Sequence, residues 1–463
     1  MKYIQNIKKD YQNVNDLIIK DVNDITLIFY ETLVDQDKIN EYILKRITNS
    51  NITNIKNNIP SPNVKDIKDY KDLVNYLETG FTIILYKKYA VAVETKGELN
   101  RSISHPDTEK TLFGPKDSLV ENHQINFGLI RRRVKSSHLK SIDIYIGRYT
   151  KNLTSILYID DITNIDLVNN INKKLQDIDI GGLNDISELK EYLNKEYKSV
   201  FPTIKITERP DVICNAILNG KVVLIMDNSP YALILPTSLI DYLNPADDYY
   251  SKSININYIK ILRMICFLLS ITIPALYLAI TTYNQETIPT SLLLNFQNQR
   301  TNIPYPSIIE LTITLFTCDI LRESDIRFPS NYGSAISILG GLVLGSSAVE
   351  AGLVTPIIII IVAITFISSL IFTDIDLING IRAWRIFFIL MVLPLGLYGF
   401  VLALIIFITN IVSIKAFNMP YFFPIIPYDK NYILETVFKG RNNIRSKILS
   451  KNQYKGDLWK KYY

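Results

Sequence analysis

The sequence predicts a soluble N-terminal region of mixed α/β type, folded as two lobes, followed by an α-helical polytopic membrane domain. The first indication is a change in composition. Up to about residue 260, charged and apolar residues alternate, whereas residues 261–423 consist mainly of Ile, Leu, Val and Phe. The second indication is an uncharged run at residues 354–372, close in length to the ~20 apolar residues with which a helix crosses a bilayer.

Charge and cysteine content narrow the classes of function. The 463 residues carry a formal net charge of only +5, which does not indicate a nucleic-acid partner. Cys214, Cys266 and Cys318 follow no pairing or metal-binding pattern, so buried thiols in a reducing compartment are expected. Polar residues interrupt the first turns of the chain, so no cleavable signal peptide is predicted, and the N-terminal region is expected on the cytoplasmic side.

Residues 1–100 are predicted to form the first α/β lobe. Asp35 is a candidate N-cap for a helix with Ile39, Ile43 and Ile47 on one face. The other expected elements are a strand at 17–19, a strand at Ile25–Tyr30, a helix at Tyr70–Glu78 and a hairpin of Phe81–Tyr86 with Tyr89–Glu94. Residues 101–120 are rich in turn-forming residues and are the expected linker.

Residues 121–255 are predicted to form the second α/β lobe, a sheet with helices on at least one face. Pro210 is expected to open one of its helices, because proline is favoured in a first helical turn. The expected helices are 121–133, 165–177, 186–197 and 210–220, and the expected strands are 142–149, 155–159, 200–208, Val222–Met226 and 231–235.

Three consecutive arginines, Arg131, Arg132 and Arg133, end the first helix of this lobe. Cations near a helix C-terminus are favourably placed, and this is one interpretation of the cluster. The other interpretation is an intersubunit or lipid-headgroup contact.

Residues 256–427 are predicted to form the transmembrane domain, and residues 428–463 a basic cytoplasmic tail. The apolar runs are 261–280, 307–321, 354–372 and 386–409. Positive charge before the first run and in the tail places both ends inside, which requires an even number of spans. Four spans fit if 307–321 does not cross, but Arg382 and Arg385 then lie outside. Six spans fit if a further stretch crosses.

Two acids of this half, Glu310 and Glu323, are candidate pore or gating residues. Glu310 interrupts an apolar run, and Glu323 belongs to a dense charged patch between two apolar runs. Ionisable groups at membrane depth are costly and usually face a protein interior or a water-filled path. The alternative is an intramembrane salt-bridge network that joins Glu310 or Glu323 to Arg322 or Arg300.

Three small residues, Ser337, Gly341 and Gly345, are further pore or gating candidates. Their four-residue spacing places them on one helical stripe, which allows close approach of backbones in lipid. Such a stripe serves plain helix packing, or packing between subunits around an axis.

No catalytic, cofactor or metal site is predicted, and the chain is not expected to be an enzyme. No glycine-rich dinucleotide fingerprint follows a strand, and the segment around Gly114 lacks the features of a phosphate-binding loop. His105, His123 and His138 lack metal-ligand spacing.

An ordered series of short motifs resembles the A subunits of the GerA family of spore germinant receptors, up to about Pro427. In the first half the matching segments are Asp16-Leu-Ile-Ile-Lys, Leu33-Val-Asp, Phe113-Gly-Pro, Glu121-Asn, Leu129-Ile-Arg-Arg-Arg133, Arg209-Pro-Asp, Leu218-Asn-Gly-Lys-Val-Val, Asp227-Asn-Ser-Pro and Asp247-Asp-Tyr-Tyr250. In the second half they are Pro274-Ala-Leu-Tyr, Pro304-Tyr-Pro-Ser with Glu310, Leu321-Arg-Glu and Gly340-Gly-Leu-Val-Leu-Gly345.

The resemblance implies a subunit of a nutrient receptor in the inner spore membrane. It implies two partners, a transporter-like, nutrient-binding B subunit and a lipoprotein C subunit. It also implies a homo-oligomer that forms a nutrient-gated channel for monovalent cations, with the N-terminal region on the spore core side. The alternatives are a non-conducting scaffold subunit and a solute transporter. A transporter would show internal sequence symmetry between its membrane halves, which is not evident here.

Overall fold

The computed structural model describes residues 2–22, 25–45, 61, 63–86, 89–97, 106, 108–109, 111–194, 199–250, 253–301, 303–327 and 343–428. Two five-stranded antiparallel sheets with flanking helices form the N-terminal region, and a helical bundle follows. Ser337, Gly341 and the predicted basic tail from residue 429 onward lie outside the described residues.

The first lobe carries one of these sheets. Its elements are α1 Lys2–Asp10, β1 Leu17–Val22, β2 Ile25–Tyr30, α2 Gln36–Lys38 with a π-helical continuation Ile39–Leu44, β3 Val64–Asp66, α3 Tyr70–Glu78, β4 Phe81–Tyr86 and β5 Tyr89–Glu94. The strand order is β1-β2-β4-β5-β3. Leu27 and Ile28 of β2 enter separate apolar clusters on the two sheet faces, because successive strand side chains point in opposite directions.

The predicted helix start at Asp35 is observed. The Asp35 carboxylate accepts the backbone N–H of Asp37 at 2.9 Å, which satisfies one of the free donors of a helix N-terminus. Ile39 and Ile43 are buried, and Ile47 lies outside the described residues.

The second lobe has the same number of strands in the order β6-β7-β9-β10-β8. Its elements are α4 His123–Arg133, β6 Leu139–Ile146, β7 Asn152–Ile159, α5 Ile165–Gln176, α6 Ile186–Asn194, β8 Lys205–Thr207, α7 Pro210–Leu218, β9 Val222–Met226, β10 Ala232–Leu235, α8 Leu239–Leu243 and α9 Asp247–Tyr250. Of the predicted strand 200–208, only Lys205–Thr207 form a strand (β8), because Pro202 cannot donate a ladder hydrogen bond. The described part of the expected linker packs on this lobe, where the backbone N–H of Thr108 donates to Glu208 at 2.7 Å.

The helical bundle follows directly. Its elements are α10 Ser253–Leu278 with a π-helical end Ala279–Tyr283, α11 Thr290–Arg300, α12 Ser307–Arg327, a π-helical turn Val343–Ser347 leading into α13 Ala348–Glu350, α14 Pro356–Leu370 and α15 Ile375–Ser413. Within the described residues, two helices are long and apolar enough to cross a membrane, Asn255–Tyr283 and Ile375–Ser413.

Helix α15 folds back on itself. Gly396 has φ 58° and ψ −135°, which no helix interior allows, and Pro394 precedes it. A straight helix would separate Trp384 from Phe407 by about 34 Å at 1.5 Å per residue, yet their ring centroids are 5.0 Å apart. The two arms of α15 are therefore antiparallel neighbours.

Contacts define a lobe end and a far end of the bundle. At the lobe end, Arg263 near the start of α10 pairs with Asp248 at 2.7 Å, and Asp376 of α15 pairs with Lys190 of α6. At the far end, the ring of Tyr283 lies against the kink at Gly396. Helices α10 and the first arm of α15 thus run away from the lobes, and the second arm returns.

The chain after α15 re-enters the second lobe. Strands β11 Lys415–Ala416 and β12 Met419–Pro420 form a two-stranded ladder. Ala416 and Phe417 are fully buried in the core of the second lobe, and the Lys174 ammonium lies 5.1 Å from the centre of the Phe417 ring. The end of the described chain therefore completes a domain that begins almost 300 residues earlier.

Candidate functional site

Glu310 lies where two helices begin. Pro304 and Pro306 precede α12, so Glu310 falls in its first turn and is only 2% exposed. Its Oε2 accepts the backbone N–H of Thr355 at 3.0 Å. Thr355 is the N-cap residue of α14, and its own side chain does not cap that helix. One carboxylate thus serves two helix N-termini, an arrangement that stabilises negative charge.

The surroundings of Glu310 contain buried polar atoms without partners in the described chain. These are Glu310 Oε1, Thr355 Oγ1 and one terminal nitrogen of Arg300. The phenol of Tyr277 completes the cluster, because Arg300, Glu310 and Thr355 all lie close enough to act on it. We call these four residues the Glu310 cluster. A buried polar atom that lacks a partner costs about 1–3 kcal/mol, so the cluster is suited to meet a further polar group.

The chemistry of the Glu310 cluster is that of a binding or relay site. It offers one carboxylate oxygen as an acceptor, one guanidinium nitrogen as a donor, and a hydroxyl that can act as either. Within the described ranges, no group of three His, Cys, Asp or Glu side chains is placed to hold a metal ion.

The other candidate residues lie apart from this cluster. Glu323 is exposed on α12, about 20 Å from Glu310 at 1.5 Å per residue along the helix. Gly345 lies in the π-helical turn before α13, where an added Cβ would meet nothing within 4 Å in the described chain. Ser337 and Gly341 cannot be placed, since both precede the described part of this segment. The structure therefore brings none of the three described candidates together.

An ion-pair network joins α12 to α15. Its shared acid is Asp319: Arg382 Nε lies 3.1 Å from Asp319 Oδ1, and Arg385 Nη2 lies 3.0 Å from Asp319 Oδ2. Arg322 donates to the Oγ of Ser369 at 3.0 Å. Sequence spacing did not show this pairing, because it joins two helices separated by other elements. The pairing of Glu310 or Glu323 with Arg322 or Arg300 stays a prediction.

The basic run at the end of α4 holds the two lobes together. Arg131 is fully buried and donates through Nη2 and Nε to Asp16 of the first lobe, at 2.7 and 3.2 Å. Its guanidinium also lies 4.6 Å from the centre of the Tyr30 ring. Arg131 is thus neither a simple C-terminal cation nor an intersubunit residue. Arg133 pairs with Asp117 at 2.5 Å.

A cavity of about 200 Å³ lies between the lobes, and Arg132 of α4 contributes to its lining. Its lining combines three cationic side chains with one carboxyl group, whose pKa is raised by burial: Leu33, Glu78, Thr79, Lys96, Gly97, Arg132 and Lys135. The excess of cations suits a small ligand that carries an acidic group.

The second lobe joins the bundle through Phe201. Its ring lies within 6.5 Å, centre to centre, of four aromatic rings from α10, α15 and the C-terminal segment: Phe267, Trp384, Phe407 and Tyr421. Gly380 of α15 makes room for it, because an added Cβ there would approach the Phe201 ring to 2.9 Å. Sequence reasoning missed this junction, although a Gly among bulky residues in an apolar helix was a usable signal.

Comparison with known proteins gives concordant matches. Residues 5–448 match the family described as Bacillus/Clostridium GerA spore germination protein. Spore germination protein KA of Bacillus subtilis is 31% identical over 95% of this chain and 84% of its own length. YfkQ of the same organism, an uncharacterised membrane protein, is 32% identical over 73% of this chain and 66% of its own length.

Among solved structures, the N-terminal domain of the A subunit of the Bacillus megaterium germinant receptor GerK3 matches with 25% identity and a TM-score of 0.37. The match covers 50% of this chain and 92% of that domain. The family match spans both lobes and the helical bundle, so it applies to the whole architecture described above. This chain is a member of the GerA family of spore germination proteins.

Proposed function

We propose that this chain is the A subunit of a nutrient germinant receptor in the spore inner membrane, with its helical bundle in the bilayer. The supporting observation is the outer surface of the bundle, which is apolar. Large aliphatic and aromatic side chains are 40–65% exposed along the four long helices, among them Ile261, Ile265, Ile313, Phe316, Ile364, Ile367, Leu390, Val401 and Ile405. A water-soluble bundle rarely exposes so extended an apolar surface.

We propose six crossings, with the lobes on the spore core side. Five are α10, α12, α14 and the two arms of α15. Helix α12 ends at the lobe end, and α14 begins beside Glu310 at the far end, so the even number of crossings predicted from the sequence requires a sixth. This arrangement puts Arg322, Arg382 and Arg385 on the inner side, in agreement with the positive-inside rule.

The Glu310 cluster is the proposed cation site of a homo-oligomeric, nutrient-gated channel. One carboxylate oxygen of Glu310 has no partner among the described residues, and it lies at the far end of the bundle, beside the start of α14. Ser337, Gly341 and Gly345 are the proposed packing stripe of the gate. A transporter-like B subunit that binds the nutrient and a lipoprotein C subunit are the proposed partners. Nutrient binding must then favour the open state by differential affinity.

The test is cation efflux from liposomes that contain the chain with both partners, started by nutrient. Glu310→Gln keeps an acceptor for the Thr355 N–H but removes the charge. We expect efflux to fall about tenfold, equivalent to about 1.4 kcal/mol of lost cation stabilisation, while assembly persists. Glu286→Gln, which removes the charge of an exposed acid before α11, is the matched control and leaves efflux unchanged. Normal efflux in assembled Glu310→Gln receptors contradicts the role of Glu310.

A non-conducting scaffold is the second candidate function. It is favoured by the enclosure of Glu310 within a single chain and by the tight junction at Phe201, which suits transmission of signal through the lobes. The two functions differ for Gly341→Trp. A channel subunit predicts assembled receptors without efflux, whereas a scaffold predicts that any loss of efflux accompanies loss of assembly.

A further inference from the structure

We propose that the lobe end of the bundle binds the headgroup of an anionic phospholipid between α12 and α15. The binding groups are the guanidinium groups of Arg322, Arg382 and Arg385. This inference rests on the proposed placement of the bundle in a membrane.

The three arginines lie close together at the lobe end of the bundle. They come from two helices and converge on Asp319, which Arg382 approaches to 3.1 Å and Arg385 to 3.0 Å. Arg322 is held by neutral acceptors, the Oγ and backbone oxygen of Ser369 at 3.0 and 3.3 Å. Two of the three guanidinium groups share one carboxylate, and the third is held by neutral oxygens.

Cations outnumber anions in the arginine cluster. Within the described chain, the charged groups that act on Arg322 are Arg382, Asp319 and Arg385, so two repulsive interactions oppose one attractive interaction. Arg385 likewise meets Asp319 and Arg382. Three cations around one anion repel one another in a medium of low dielectric constant, and a bound anion relieves that repulsion.

The arginine cluster is partly accessible from outside the bundle. The Arg385 side chain is 5% exposed and binds Asp319, whereas the Arg382 side chain is 23% exposed. Exposed apolar residues directly follow Asp319, Ser369 and Arg385 in the chain: Ile320, Leu370 and Ile386 are 48%, 52% and 56% exposed. A phosphodiester would bind the guanidinium groups while its acyl chains cover these side chains.

The position in the bundle agrees with a lipid ligand. Asp376, six residues before Arg382, pairs with Lys190 of the second lobe, which places the cluster near the inner surface of the proposed bilayer. Basic pockets between membrane helices on that side are typical sites for anionic headgroups. Free phosphate shares the headgroup chemistry but gains nothing from the flanking apolar side chains.

Tryptophan fluorescence provides the test, because Trp384 lies between Arg382 and Arg385 in sequence and the only other tryptophan is Trp459. The full chain carrying Trp459→Phe is placed in vesicles with brominated phosphatidylglycerol or brominated phosphatidylcholine, which quench nearby indoles. We expect stronger quenching by the anionic lipid. Arg382→Gln and Arg322→Gln should each lower this preference about fivefold, the equivalent of about 1 kcal/mol per charge.

Control variants keep the test decisive. Arg382→Lys retains the charge and most of the preference for the anionic lipid. Asp319→Asn raises this preference. Arg148→Gln removes an exposed arginine of the second lobe and changes nothing. Equal quenching by both lipids, with the chain still floating with the vesicles, overturns the lipid site but not the membrane placement. Failure to float with vesicles overturns both.

Inorganic phosphate distinguishes the two sources of the same chemistry. At matched ionic strength, we expect the preference for the anionic lipid to be the same in phosphate as in chloride. If phosphate alone abolishes the preference, the site binds a free anion, and the assignment to a phospholipid is wrong.

Discussion

The two halves of the molecule bury charge in opposite ways. In the N-terminal half, the Arg131 side chain uses every nitrogen: Nε and Nη2 donate to Asp16, and Nη1 donates to the backbone oxygens of Ser136 and Leu139. Asp16 also accepts the hydroxyl of Thr32 at 2.9 Å. In the helical half, Glu310 uses one carboxylate oxygen of two, and one nitrogen of Arg300 has no partner in the described chain.

This difference distinguishes a contact that only stabilises the fold from a site that can bind another group. A buried ion pair with every atom bonded fixes the relative orientation of the two lobes and leaves nothing to bind. A buried carboxylate with a free oxygen keeps part of its hydrogen-bonding capacity for another group. The comparison therefore assigns Arg131 and Asp16 to stability, and favours a functional role for the Glu310 cluster.

The largest expected effect concerns the satisfied pair. Arg131→Met leaves Asp16 buried without its partner, and we expect a loss of about 3–5 kcal/mol in the free energy of unfolding of the lobes. The double change Arg131→Met with Asp16→Leu removes both charges and should recover most of that loss. Denaturant unfolding of the full chain in detergent, followed by circular dichroism, measures both.

An exposed pair provides the control for this prediction. Arg148 and Asp179 form an ion pair at the surface of the second lobe, with side chains 68% and 65% exposed. Arg148→Met should not change the unfolding transition measurably, because solvent screens such pairs. A loss for Arg131→Met no larger than for Arg148→Met would contradict the structural role of the interlobe pair.

An intermediate effect concerns Glu310 itself. Glu310→Ala removes the acceptor of the Thr355 N–H and should cost about 1–3 kcal/mol in bundle stability, measured as thermal unfolding in detergent. Glu310→Gln retains an acceptor and should be close to the native chain in this assay while differing in efflux. Equal destabilisation by both variants would indicate that the charge itself stabilises the bundle, and the contrast between the halves would then fail.

The smallest effect concerns His123 in the second lobe. Burial lowers the pKa of His123, whose ring nitrogen contacts the Oγ of Ser155 at 2.8 Å, although Asp143, Asp227 and Asp16 act in the opposite direction. A histidine whose pKa is lower in the folded state favours folding less as pH falls below its unfolded value of about 6.5. Its contribution to stability should therefore decline as pH falls from about 7 to 5.5.

One such histidine changes the free energy of unfolding by at most about 1.4 kcal/mol per pH unit. Burial raises the pKa values of Glu78 and Glu109, and these groups change stability with the opposite sign. The measurement is therefore the difference between the native chain and His123→Asn across this pH range. Parallel pH profiles of the two proteins would show that His123 makes no contribution.

Local sequence signals predicted much of the fold. The N-cap at Asp35, the helix Tyr70–Glu78 and the strand Val222–Met226 were predictable because capping, periodicity and uninterrupted apolar runs act over a few residues. The helix that contains the apolar run 307–321 extends to Arg327, since charged residues at the end of a helix do not stop it.

Long-range pairings were beyond the reach of the sequence. The Asp16–Arg131 contact joins residues 115 positions apart, and the Asp319–Arg385 contact joins residues 66 positions apart. Single residue types do not identify such partners, because each acid has many bases with which it could pair. Glu310 was identifiable as an ionisable group in an apolar run, but its neighbours Thr355 and Tyr277 were not.

Because the C-terminal segment returns to the second lobe, the core of that lobe can be completed only after the helical bundle has been synthesised. Ala416 and Phe417 belong to the core of the second lobe, and the backbone N–H of Leu239 donates to the carbonyl oxygen of Tyr421 at 2.9 Å. During synthesis, the hydrophobic core of the second lobe lacks Ala416 and Phe417 until every helix of the bundle has left the ribosome. With the bundle in a membrane, as proposed, this core closes only after the bundle has been inserted, so a truncated or misinserted chain carries an incomplete lobe that proteases can recognise.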